Sequence, residues 1–511
     1  AYAYKPDQDA FVVAKLREAG ALMIGKTNLD QFATGLVGIR TPYGAPINSI
    51  NPELVPGGSS GGSAVLVGHG IVTFSLGTDT AGSGRVPAAL NNIVGLKPTL
   101  GALSATGVVP ACRTLDTISI FALTVDDAFA AFDVACVYDA EDAYSKPVAN
   151  GQLAGPAGLL RVGIPDDNSI EFFGDDVQRA TFARDVALLS DMGAQIERFD
   201  FSPLFDIARM LYQGAWVAER YTVIEELLQK EPEAVHPVTR QIIGSADGMS
   251  AADAFRGFYR LADSKRAAQP ILDGCDMLCV PTIPTLYTVS DLEADPVTPN
   301  NNFGTYTNFV NLLDMCGMAV PTAARSDGLP GSVTLLSVAG QDAEVASVAR
   351  QFEMGCTRNM GATNHALRAP AELGSADPDN ILIAVCGAHM SNLPLNWQLT
   401  DRGATKVCDS LTAKRYRFYA LPDGPPARPG LVRNGRSNGH SIAVEIWSMP
   451  ITAFGSFMEG IPAPLGIGSI ELADGSWVKG FLCEASGVES AKDISSLGDW
   501  RTYLENASAP A

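Results

Sequence analysis

Positive charge is scarce in this sequence. Lys and Arg number 36 against 56 Asp and Glu, a formal net charge of −20 over 511 residues. A nucleic-acid backbone repels so acidic a chain unless a local basic run offsets it, and no Lys/Arg run is present. An anionic small substrate would need one specific local cation. No stretch of 18 apolar residues occurs, which excludes a membrane-spanning helix. The nine Cys include no CxxC pair, and no Cys/His cluster follows the closest two, Cys275 and Cys279. That argues against a disulfide framework and a zinc knuckle, so no metal is expected and the thiols read as those of a cytoplasmic protein. The opening AYAYKPDQDA has no Met and no basic–apolar leader pattern, and it reads as the middle of a domain.

What is present points to a large folded chain. Hydrophobic residues at 46% against 18% charged can bury a sizeable core, and the length suggests one large and one small domain. FVVAKLREAG at 11–20 has helical spacing and ALMIG at 21–25 reads as a short buried strand, an α/β opening. Helices are expected at 125–136, 175–195, 205–230 (interrupted only by Gly214) and 251–272, with LCVPTIPT at 278–285 a strand entering a Pro loop. Residues 358–380 lose apolar periodicity and read as a linker between a first domain, 1–357, and a strand-rich second one, 381–511.

Two small-residue loops stand out, Pro56-Gly-Gly-Ser-Ser-Gly-Gly-Ser63 and Gly77-Thr-Asp-Thr-Ala-Gly-Ser-Gly-Arg85. Neither fits GxxxxGK(S/T) or GxGxxG, so a nucleotide cradle is poorly supported. They could be surface loops, but both flank apolar segments and surround a hydroxyl with residues that let backbone N–H groups approach a ligand. A serine there could serve as an acyl-transfer nucleophile. Of the five histidines (His69, His236, His365, His389 and His440) only His69 lies near the loops. It sits in an apolar run and reads as a packing residue, and no GxSxG elbow exists.

GGSSGGSA at 57–64 followed by GTDTAGSGRVPAALNNIVGLKPT at 77–99 resembles the amidase signature family. The resemblance implies an α/β fold with a large twisted mixed sheet flanked by helices. It also implies a Ser–cisSer–Lys catalytic set, in which Ser83 is the nucleophile and Ser59, cis to Gly58, is the relay. The N–H groups of Thr80, Ala81, Gly82 and Ser83 would form the oxyanion hole, and Asp79 and Arg85 a structural ion pair. Ala81 stands where the family often has Gly. The family's lysine lies roughly seventy residues before the relay serine, a count that passes residue 1, so it is expected outside this sequence. Lys26 and Lys97 are read as structural.

Further stretches resemble the allophanate hydrolase branch: VPACRTLDTISIFALTVDDA at 109–128, LYQGAWVAERY at 211–221 and FGTYTNFVNLLDMCGMAVP at 303–321. Tyr212 and Arg220, two turns apart, fit a core stripe as well as a binding face. The resemblance assigns them to the substrate carboxylate, which supplies the cation that the net charge demands. AVCGAHMSNLPLNWQL, RYRFYALPDGPPARPGL and IPAPLGIGSIELADGSWVKGFLCEA resemble the C-terminal domain of allophanate hydrolases and fused urea amidolyases, a small α+β, γ-glutamyl cyclotransferase-like fold. His389 would be its proton-handling residue in a decarboxylation, where the residue alone could equally be a buried structural histidine, and Pro464 would shape its pocket. The implied function is hydrolysis of allophanate without metal or organic cofactor. A homodimer and a metabolic link to a biotin-dependent urea carboxylase come with it. The alternatives are an amidase for another small acidic amide, or a truncated chain without activity.

Overall fold

The structure, a computed structural model, describes residues 5–148, 153, 160–212, 214–367, 380–422, 426–434, 439–473 and 476–508. It divides into two units, residues 1–151 with 160–368 and residues 152–159 with 369–511.

In the first unit, eight strands form one sheet: β1 (Phe74–Asp79), β2 (Val94–Lys97), β3 (Thr117–Ala122), β4 (Arg161–Pro165), β5 (Gln195–Phe199), β6 (Met277–Pro281), β7 (Cys316–Pro321) and β8 (Ser332–Ser337). Their order is β1-β3-β2-β7-β8-β6-β4-β5. β4 runs parallel to β5 and β6, and the other neighbours are antiparallel, which gives the expected mixed sheet. CGMAVP and SVTLLS of β7 and β8 are buried at every position, as strands covered on both faces must be. The expected helices form at Val125–Ala135, Asp176–Asp191 and Ala251–Asp273, each started by a side-chain cap from Thr124, Asp175 or Ser250. The last has a full capping box with Asp253.

Four expectations change. ALMIG forms no strand, and Leu22, Met23 and Ile24 are exposed; a short apolar run becomes a strand only where a neighbouring edge pairs with it. The expected 205–230 helix is two, Ser202–Met210 and Ala215–Lys230, because Gly214 takes an extended conformation and begins the second. His69 caps the helix Gly61–Gly68 at its C-terminus and is exposed rather than packed. The start of the expected linker belongs to the first unit. There Gly361 and Ala362 donate backbone N–H bonds to Asn92 and Gly68, and Arg358 pairs with Glu353 in the interior. Residues 368–379 of that stretch lie outside the described residues.

The second unit has its own core, with Ile383, Tyr416, Phe418, Ile446, Trp447 and Trp500 among its buried members. Its strands are β9 (Asn380–Val385), β10 (Thr405–Leu411), β11 (Tyr416–Ala420), β12 (Pro429–Arg433), β13 (Ala443–Pro450), β14 (Leu465–Glu471), β15 (Trp477–Cys483) and β16 (Lys492–Asp493). They make a five-stranded sheet, β10-β13-β9-β15-β14, and a three-stranded one, β12-β11-β16. With the helices Ile451–Glu459 and Trp500–Ser508 this is an α+β unit. No helix among the described residues is long and apolar enough to cross a membrane, and all nine cysteines are buried with no disulfide between them.

Candidate active site

Both small-residue loops lie at the end of β1. The first enters the helix Gly61–Gly68 and the second leaves β1 at Asp79 for the short helix Val86–Leu90. Ser60 ties them together: its hydroxyl accepts the Thr78 N–H at 3.1 Å. The Gly58–Ser59 peptide bond is cis. Asp30 grips this loop from behind, accepting N–H bonds from Gly38 and Arg40 while its own N–H donates to the Ser59 carbonyl. A Cβ on Gly58 would stand 2.1 Å from the Asp30 carboxylate, so no larger residue fits there.

The second loop is held by its own ion pair. Asp79 accepts from the Gly82 and Gly84 N–H groups at 2.8 and 3.0 Å, and from Arg85 Nε and Nη2 at 2.9 and 3.0 Å. Both side chains are fully buried. Burial pushes the Asp79 carboxyl up, but the Arg85 charge and hydrogen bonds outweigh it and hold the group below the ordinary carboxylate range. Asn311 completes the cradle, donating to the Asp79 and Leu115 carbonyls and accepting from Arg85. Asp79→Asn breaks a buried pair and is expected to destabilise the first unit by about 3–5 kcal/mol. Because the folded pKa is depressed, the wild-type advantage is present above about pH 4 and fades as pH falls below it. Urea unfolding of both proteins across that range checks this.

Ser59 and Ser83 are buried, and neither hydroxyl has a hydrogen-bond partner among the described residues. The backbone N–H groups of Thr80, Ala81 and Ser83 are also without one among those residues. The Gly82 N–H differs from the expectation: it is committed to Asp79, which leaves three donors of the four. Position 82 still requires glycine, since its φ is +133° and a Cβ would meet the Thr307 hydroxyl at 2.5 Å. Of the two lysines, Lys26 is exposed, and Lys97 is buried with Nζ donating to the Pro98 and Met315 carbonyls.

Arg220 is a buried cation with unused donors. Nη1 donates to the Ala33 carbonyl at 3.3 Å, while Nε and Nη2 have no partner among the described residues. The guanidinium lies 5.5 Å from the Tyr212 ring, whose hydroxyl is likewise unpartnered. Burial alone would lower the Arg220 pKa, but Tyr212, Cys112, Asp116 and Glu219 around it keep it charged. None of these four supplies the direct ion pair a buried guanidinium normally has. Asp116 connects this helix to the serine loop. It accepts from the Thr80 hydroxyl at 2.5 Å and from the Ala111 and Cys112 N–H groups at 2.8 Å, and the Cys112 thiol donates to Glu219 at 3.1 Å. Sequence reasoning assigned nothing to Asp30, Asp116 or Asn311. The last two lie inside the quoted stretches, as polar side chains in apolar surroundings, and that was the available signal.

In the second unit His389 Nε2 is 3.0 Å from Gln398 Oε1, and its ring stacks on Phe481 at 4.9 Å. Burial lowers its pKa, which keeps the imidazole neutral at neutral pH. His389 lines a small pocket with Leu465, which follows the cis peptide bond Ala463–Pro464.

Residues 1–346 match the family described as Amidase, and residues 381–505 match the allophanate hydrolase C-terminal domain. The urea amidolyase of Saccharomyces cerevisiae is 44% identical over 99% of this chain, and the chain spans 28% of that protein's length. The structure of Kluyveromyces lactis allophanate hydrolase shares 43% identity with a TM-score of 0.73, over 99% of this chain and 84% of that one. A glutamyl-tRNA(Gln) amidotransferase chain from Heliobacterium modesticaldum is 31% identical, over 70% of this chain and 79% of its own. The chain belongs to the amidase family and carries an allophanate hydrolase C-terminal domain.

Proposed function

We propose that the protein hydrolyses allophanate, which is urea carrying a carboxylate on one nitrogen. The observation that carries this is the Arg220–Tyr212 pair: a planar fork with two donors beside a hydroxyl, all three buried atoms without a partner among the described residues. Buried polar groups nearly always find partners, so orphans gathered in one place mark a ligand. Two parallel guanidinium donors match a carboxylate. With the carboxylate so held, the Ser83 oxygen attacks the terminal amide carbonyl. Its proton passes through Ser59 to the family's lysine base, and the oxyanion falls on the N–H groups of Thr80, Ala81 and Ser83. The nitrogen takes a proton and leaves as ammonia, and water then releases the acyl group as N-carboxycarbamate. His389 acts in the second unit, where that product loses carbon dioxide. The sum is two ammonia and two carbon dioxide, with no cofactor in the scheme. A biotin-dependent urea carboxylase would supply the substrate. Nine buried thiols without a disulfide suit the cytoplasm, and a homodimer belongs to the same reading.

Ammonia release from allophanate, malonamate, biuret and glutamine tests this. Allophanate is expected to be the preferred substrate. In His389→Ala the first ammonia should appear at the parent rate, with carbon dioxide delayed. Preference for malonamate or glutamine would overturn the substrate, and equal loss of both products in His389→Ala would overturn the division of labour.

A further inference from the structure

The His389 pocket is lined by an arginine that has no carboxylate partner among the described residues. Its lining includes Arg428, together with apolar side chains of Leu395, Pro429, Leu465 and Phe481, and no Asp or Glu. Four other arginines of this unit have carboxylate neighbours: Arg415 and Arg433 lie beside Glu471, Arg417 pairs with Asp493, and Arg501 with Glu445, while Arg402 donates to Ser456 and the Gln398 carbonyl. The Arg428 backbone is fixed, because its carbonyl accepts the Leu421 N–H at 3.0 Å and β12 begins at the next residue. The segment carrying His389 comes up close to it: a Cβ on Gly387 would meet the Pro429 ring at 2.5 Å, so only glycine lets the two backbones approach this far.

We infer that this pocket is an anion site in which Arg428 holds a carboxylate beside His389. Gln398 Oε1 faces Nε2, which therefore carries the ring hydrogen, and Nδ1 is left to accept. A cation, a neutral imidazole and apolar walls suit a small carboxylate or carbamate. A phosphate would need more donors than the lining offers.

For the second step the inference rests on the function proposed above. The ligand there is the dianion ⁻OOC–NH–COO⁻. Arg428 binds one carboxylate, and the apolar side chains face the other, where neutral carbon dioxide is favoured over an unpaired charge. The C–N bond to the second carboxylate breaks and its electron pair stays on nitrogen. That nitrogen takes one proton, drawn from water through His389, and the water is left as hydroxide, which carries the second negative charge away. Carbon dioxide leaves, and the carbamate anion remains on Arg428. Arg428 is thus a substrate-binding residue distinct from the Arg220 site.

Malonate, ⁻OOC–CH2–COO⁻, has the shape and charge of the dianion and does not react, so it serves as the probe. The five histidines make ¹⁵N-histidine spectra simple, and His389→Asn identifies the His389 signal by its loss. Malonate should move that signal saturably in the parent. Arg428→Gln should weaken the binding by about tenfold or more, with Arg428→Lys falling between the two. An unmoved His389 signal in the parent, undiminished affinity in Arg428→Gln, or equal weakening in both variants would overturn the assignment. Malonate need not be turned over, so the two readings fail separately. A shift without ammonia release from allophanate defeats the proposed function and leaves the anion site standing. Ammonia release without a shift defeats only the anion site.

Discussion

Ser83→Ala is expected to lose ammonia release by about 10⁴- to 10⁶-fold, the scale on which nucleophile removal acts when its partners work as a unit. It is also expected to melt no lower than the parent. The two outcomes come from the same observation. The Ser83 hydroxyl is buried and bonds to nothing among the described residues, so the fold gains nothing from it. Removing an unsatisfied buried polar atom is neutral or stabilising. Ser60 gives the contrast within the same pair of loops. Its hydroxyl holds Thr78, so Ser60→Ala should lower stability by about 1–2 kcal/mol. Retained turnover in Ser83→Ala would remove it from the nucleophile role. A Ser83→Ala protein that melts well below the parent would show the hydroxyl to be structural. Rate and melting temperature measured on one preparation decide both.

Arg220→Met is expected to lower kcat/KM for allophanate by about 10²–10³-fold, the consequence of losing about 3–4 kcal/mol from a buried bidentate pair. Biuret is the informative comparison, because it replaces the carboxylate of allophanate with an amide and leaves the rest alike. The parent should discriminate strongly between the two, and Arg220→Met should hardly discriminate at all. Stability should move the other way. A buried guanidinium lacking a direct counter-ion is a cost to the empty protein, and a methionine of similar length relieves it. An Arg220→Met protein that favours allophanate as before would place the carboxylate elsewhere.

Much of this was legible in the amino-acid order, for uneven reasons. The long helices announced themselves because cap and periodicity agree, as with Ser250 and Asp253 ahead of the helix Ala251–Asp273. The two serine loops were legible because a dense run of glycine has few other uses. ALMIG misled because strand character depends on a neighbouring edge, which no local pattern encodes. Gly214 was seen but underweighted: in a helix interior glycine costs about 1 kcal/mol, and here it opens a new helix instead. Asp116 showed no more than a polar letter in an apolar stretch, and Asp30 not even that. Each acts by collecting N–H or hydroxyl groups from residues brought near only by folding, which no local pattern spells out. The Gly82 donor could be assigned away only once the Asp79 carboxylate was seen to occupy it.

The order of the first sheet bears on how the chain is made. β7 and β8 lie between β2 and β6 in space, yet both follow them in the chain. On a ribosome the apolar edges of β2 and β6 therefore emerge without their neighbours. At roughly 5–20 residues per second, about 10–50 s separate the appearance of β2 from that of β8. An unpaired apolar edge in that interval invites association with other chains. Nascent chains cut short before Ser337 should therefore bind chaperones and aggregate, whereas those extended past it close the sheet and escape. Heterologous yield of this protein should respond to slower synthesis at low temperature and to added chaperone.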